Sequence, residues 1–65
     1  MITQEEAKKL LLKENISDVE VCDIIQRYIY DRKHVEIKIN RPQDMIRLQL
    51  MSEMYMSALK WYLSK

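Results

Sequence analysis

The sequence predicts a mainly α-helical fold of three helices, over about residues 3–14, 17–33 and 42–63, with one short β-strand over about residues 34–40. Two segments open with Ser or Thr followed three positions later by Glu, a pattern that caps helices. Apolar residues recur at helical spacing after each such start, whereas one stretch alternates apolar and charged residues. With 65 residues, the chain is expected to form one small domain, 1–65.

The first helix is predicted from the segment that starts at Thr3. Thr3 and Glu6 form a capping box, which satisfies the free N–H groups of a first helical turn. An apolar stripe follows at i, i+3, i+4: Ala7, Leu10 and Leu11. Asn15 tolerates the left-handed conformation that often closes a helix, so the helix is expected to end beside it.

The second helix is predicted to start at a second capping box, formed by Ser17 and Glu20. Its apolar stripe consists of Val21, Ile24, Ile25 and Tyr28, and its polar face of Glu20, Asp23, Arg27 and Asp31. The cations Arg32, Lys33 and His34 suit the negative end of the helix dipole. The helix is therefore expected to end near residue 33, with His34 a helix-end residue.

The third helix is predicted to be apolar around most of its circumference, apart from a narrow polar strip. Pro42 suits its first turn, and nothing up to Leu63 interrupts it. A helix of this kind is normally buried. Two short amphipathic helices are expected to cover about half of it, so the remaining apolar face predicts a second chain, most simply a homodimer.

The segment HVEIKIN, residues 34–40, is the part of the sequence that alternates like a strand. Antiparallel pairing with its own copy about Ile37 would set Val35 against Ile39 and Glu36 against Lys38. The alternative is an extended connector whose apolar residues fill the core. The predicted dimer interface combines this strand with one face of helix 3: Val35, Glu36, Ile37, Lys38, Ile39, Met51, Met54, Tyr55, Leu59 and Tyr62.

The composition argues against most catalytic and metal-binding chemistry. The chain has one cysteine, one histidine and no glycine, so it has no intrachain disulfide, no Cys–His metal site and no glycine-rich phosphate loop. Cys22 lies on an apolar stripe, where a cysteine usually acts as a small hydrophobe. We predict no enzymatic activity, no catalytic residue, no metal and no cofactor.

The predicted function is protein binding by a small regulator or inhibitor that docks on a larger protein through the Met- and aromatic-rich third helix. The alternative is a small dimeric DNA-binding transcriptional regulator, with phosphate contacts from Arg32, Lys33, Lys38 and Arg41. A formal net charge of +1 argues against that alternative. The polar start and the single cysteine predict a cytoplasmic protein without a membrane segment.

Overall fold

Three helices make up the fold in a computed structural model, which describes residues 2–36 and 48–64. They are α1 (Gln4–Leu11), α2 (Asp18–Lys33) and α3 (Leu48–Leu63), and each packs against the other two. The prediction of a mainly helical protein is confirmed. The predicted first turns of the third helix, residues 42–47, lie outside the described residues.

Both predicted capping boxes are present. Thr3 Oγ1 accepts the Glu6 N–H at 3.2 Å, and the Glu6 carboxylate accepts the Thr3 N–H at 3.2 Å. Ser17 and Glu20 make the same reciprocal pair, at 3.2 and 3.1 Å. These bonds satisfy N–H groups that have no partner inside the helix, so they determine where α1 and α2 begin.

The α1 helix ends earlier than the sequence predicted. Its last helical residue is Leu11, and Leu12 caps it in a right-handed conformation. The Leu12 and Lys13 N–H groups bond to the carbonyl oxygens three residues earlier, at 3.2 and 3.1 Å. This tightened last turn closes the helix, so the predicted end near residue 14 was wrong. The predicted left-handed conformation of Asn15 was also wrong.

The α2 helix ends where the sequence predicted. His34 follows its last residue in a left-handed conformation, with φ 55° and ψ 31°, and donates its N–H to the Tyr30 carbonyl at 2.8 Å. The sequence signal for this end was the cationic last turn, which complements the helix dipole. His34 is therefore the helix-end residue that the sequence indicated.

The left-handed His34 overturns the start of the predicted strand. Its backbone angles are incompatible with a β-strand, and the described residues 34–36 form no strand. The rest of the predicted strand, residues 37–40, lies outside the described residues, as does its proposed centre, Ile37. At the first residue of the predicted strand, the C-cap of α2 determines the backbone conformation.

The core consists of two adjoining clusters of buried side chains. The first contains residues from all three helices: Ala7, Leu11, Ile24, Ala58 and Tyr62. The second consists of Cys22, Ile25 and Met51. Ala7 and Ala58 are fully buried and place α1 and α3 in the same core cluster.

The apolar side chains that the structure describes on α3 are mostly covered by the other two helices. Met51 and Tyr62 are buried, and Met54, Tyr55, Leu59 and Trp61 pack against the two clusters. Among the side chains described on α3, Met56 and Leu63 are the large apolar ones that remain exposed. In residues 2–36 and 48–64, no helix is long and apolar enough to cross a membrane.

Candidate functional site

A groove lies between α2 and α3 near the C-terminal end of α2. It has a volume of about 370 Å³ and is lined by Tyr28, Ile29, Arg32, Lys33 and Met54. The four α2 residues form two pairs spaced four apart, so they share one face of the helix. Met54 reaches the groove from α3. The volume is at the lower end of the range for ligand pockets, about 300–1,000 Å³, and suits one anchoring side chain and its neighbours.

The groove combines an apolar floor with a cationic rim. Ile29 and Met54 are half-buried and pack against the second core cluster. Arg32 and Lys33 are exposed at the end of α2, and neither forms an ion pair with a carboxylate in the described part of the chain. Both charges also complement the dipole of α2, a role that requires no ligand. Unlike cations that only cap a helix, Arg32 and Lys33 also lie next to the apolar floor of the groove.

Aromatic side chains support the wall of the groove. Tyr28 lies edge-on to Trp61, with ring centroids 5.9 Å apart, and edge-on to Tyr62 at 6.4 Å. Trp61 and Tyr62 are themselves 4.7 Å apart. The Arg32 guanidinium lies 5.9 Å from the Trp61 ring, within the range of a cation–π contact. This contact holds the Arg32 charge at the rim and reduces the conformational entropy that binding would cost.

Behind the groove, a polar network joins α2 to α3. The Tyr62 hydroxyl donates to Asp31 Oδ2 at 2.6 Å, and Arg27 Nε donates to Asp31 Oδ1 at 2.9 Å. Arg27 Nη1 also reaches the Ile2 carbonyl at 3.5 Å, which ties the N-terminal segment to α2. The Asp31 side chain is only 4% exposed. The sequence placed Arg27 and Asp31 on the polar outer face of the helix, and that placement was wrong.

Opposing effects determine the protonation of this network. Burial by itself would raise the pKa of Asp31, but hydrogen bonds from Arg27, Tyr62 and Gln4 outweigh it and hold that pKa below its usual value. Burial, together with the hydrogen bond to Asp31, raises the pKa of Tyr62. A fully partnered carboxylate with a lowered pKa is poorly suited to acid–base catalysis near neutral pH. The network therefore suits a structural role.

The stability that Asp31 contributes should be lost in acid. Its folded pKa lies below the ordinary value of 3.8, so folding favours the carboxylate. That contribution is complete above the ordinary pKa of 3.8 and disappears as the pH falls from there through the lowered one. In urea titrations across this range, the midpoint of Asp31→Asn should vary less with pH than that of the wild type. Equal slopes for both proteins would contradict this assignment.

The residues of the predicted dimer interface differ in their exposure where the structure describes them. Val35 and Glu36 are exposed after α2, whereas Ile37, Lys38 and Ile39 lie outside the described residues. On α3, Met51 and Tyr62 are core residues, and Met54, Tyr55 and Leu59 are partly buried against the core. Because Met51 and Tyr62 are buried in the core, they are not accessible to a second chain, and the rest of the predicted interface stays a prediction.

The predicted phosphate contacts are divided in the same way. Arg32 and Lys33 stand together at the rim of the groove, while Lys38 and Arg41 lie outside the described residues. The sequence had singled out Arg32 and Lys33 as phosphate contacts of a DNA-binding regulator. It did not indicate the groove, because Met54 joins them only through the packing of α3 on α2.

The described residues offer little metal-binding or thiol chemistry. No group of three or more His, Cys, Asp or Glu side chains among residues 2–36 and 48–64 is arranged to hold a metal ion. Cys22 is buried in the second core cluster, where it packs as a small hydrophobe.

No protein-family model, curated protein or solved structure is significantly similar to this chain, so its own residues are the guide to its function.

Proposed function

We propose that this protein is a non-enzymatic protein-binding module whose groove receives a short segment of a larger protein. The observation that carries the proposal is the position of two exposed cations, Arg32 and Lys33, beside the apolar floor formed by Ile29 and Met54. The matching segment carries a large apolar side chain next to Asp or Glu residues. Binding of this kind suits a regulator or inhibitor that acts by docking.

The chemistry of the groove supports such a partner. Met54 contributes a flexible, polarisable side chain that adapts to different apolar shapes. Burying one large apolar side chain against it would supply about 1.5–3 kcal/mol. Arg32 and Lys33 add attraction to nearby carboxylates, which speeds association and selects acidic partners. An apolar anchor with acidic neighbours uses both properties, whereas a neutral or basic segment uses only one.

The test exploits Trp61, the single tryptophan of the chain, which lies beside Arg32. Short peptides with one large apolar residue flanked by acidic residues should change its fluorescence on binding. The paired reversal Arg32→Glu with Lys33→Glu should weaken binding about tenfold or more, since each 1.4 kcal/mol is a factor of ten. Met54→Ala should also weaken it, because the anchor loses apolar contact.

A matched control separates the groove from net charge and from folding. Lys8→Glu with Lys9→Glu changes the charge by the same amount on α1, away from the groove, and should leave peptide affinity unchanged. Urea titration of each variant checks that the fold is retained. If the groove variants bind the peptides as tightly as the wild type does, the proposal fails.

Duplex DNA serves as the competitor that represents the alternative function. It offers phosphates to Arg32 and Lys33 but no apolar anchor, so it should not displace the peptide at physiological salt. Displacement by DNA, with an affinity that falls steeply as salt rises, would favour the DNA-binding alternative instead.

A further inference from the structure

The outer face of α3 is exposed and carries apolar and charged residues in an ordered arrangement. Met56 is 48% exposed and Leu63 is 43% exposed. They are seven residues apart, so they lie about 20° from each other around the helix. Glu53 and Lys60 are also exposed, are seven residues apart, and flank Met56 on one side. We call these four residues the outer α3 face.

The charges of this face are complementary to their own reversed copy. Glu53 lies three and a half residues before the midpoint between Met56 and Ser57, and Lys60 lies the same distance after it. At a rise of about 1.5 Å per residue, each charge is about 5 Å from that midpoint along the helix axis. In an antiparallel pair of α3 helices centred there, Glu53 of each copy comes level with Lys60 of the other.

The two charges also lie on the correct side of the helix. A two-fold axis between antiparallel helices brings the same flank of both helices together, and Glu53 and Lys60 share one flank of the line through Met56 and Leu63. Neither residue forms an ion pair in the described part of its own chain. One reversed copy would therefore form this ion pair twice and cover Met56 at the centre of the contact.

We propose that two copies of this chain associate through the outer α3 face, with their α3 helices antiparallel and centred between Met56 and Ser57. A second copy is the occupant that the observations favour, because a symmetric contact requires a self-complementary surface and this face is one. Met54 faces the opposite side of α3, so the groove stays accessible in the dimer. The proposal is independent of what the groove binds.

A charge exchange tests this geometry by sedimentation equilibrium. Glu53→Lys and Lys60→Glu each place like charges opposite each other twice, and each should raise the dimer Kd by about 2-fold to 30-fold. The double exchange restores opposite charges and should return the Kd close to that of the wild type. Met56→Lys should also raise the Kd, because it places a charge near its own copy at the two-fold axis.

Matched controls make equal charge changes elsewhere on the exposed surface. Glu14→Lys makes the same charge change as Glu53→Lys, and Lys9→Glu makes the same charge change as Lys60→Glu. Each of these two controls should leave the dimer Kd nearly unchanged. Circular dichroism of each variant verifies helix content. A monomeric wild type at millimolar concentration, or a double exchange no better than the sum of the single changes, would overturn the proposal. Rescue by exchanging Glu36 and Lys38 instead would also overturn it, in favour of pairing through HVEIKIN.

Discussion

Replacing Asp31 with alanine should lower the free energy of unfolding by about 1.5–3 kcal/mol, because it leaves the Arg27 guanidinium and the Tyr62 hydroxyl without their part-buried acceptor. A core of this size supplies only about 3–5 kcal/mol in total, so we expect the variant to lose a large share of its stability. Urea titration followed by far-UV circular dichroism measures the loss.

Two further variants determine whether the lost partner is the cause. Asp23→Ala removes a carboxylate from the same helix outside this network and should cost little. The triple replacement Arg27→Met, Asp31→Leu and Tyr62→Phe removes the three side chains that bond to one another between α2 and α3, so it should recover much of the stability. If Asp31→Ala unfolds at the urea concentration of the wild type, the network does not stabilise the fold.

Ile24→Ala should lower the free energy of unfolding by about 2–5 kcal/mol, the range for large-to-small changes in well-packed cores. Ile24 is 0% exposed and belongs to the cluster that joins all three helices. Removing its side chain loses buried apolar area and leaves a cavity at their junction. Thermal unfolding should show a lower midpoint temperature, and urea unfolding should show a lower midpoint concentration. Little folded protein should remain even without urea.

Val19→Ala is the matched control for Ile24→Ala. Val19 lies on the same helix and is 60% exposed, and alanine has the higher helix propensity. We therefore expect a change within about 0.5 kcal/mol, in either direction. A large loss at Val19, or none at Ile24, would contradict the assignment of the core to the face that carries Ile24.

Features that depend on hydrogen bonds between near neighbours could be predicted from the sequence. The starts of α1 and α2 follow from Thr3 with Glu6 and Ser17 with Glu20, each pair only three residues apart. The apolar stripes were equally readable, because a helical period places their members on one face whatever packs against it. The cationic end of α2 was readable for the same local reason.

The burial of particular polar and apolar faces could not be predicted from the sequence, because it depends on how the three helices pack. Asp31 and Tyr62 are 31 residues apart, and no local pattern indicates that α3 brings a hydroxyl to a carboxylate that looked solvent-exposed. The same packing buries Met51, creates the groove at Met54 and leaves Met56 on the outside. Burial depends on how three helices approach one another, and that is set by the joint volumes of side chains distant in the chain, such as Ala7, Ile24 and Ala58.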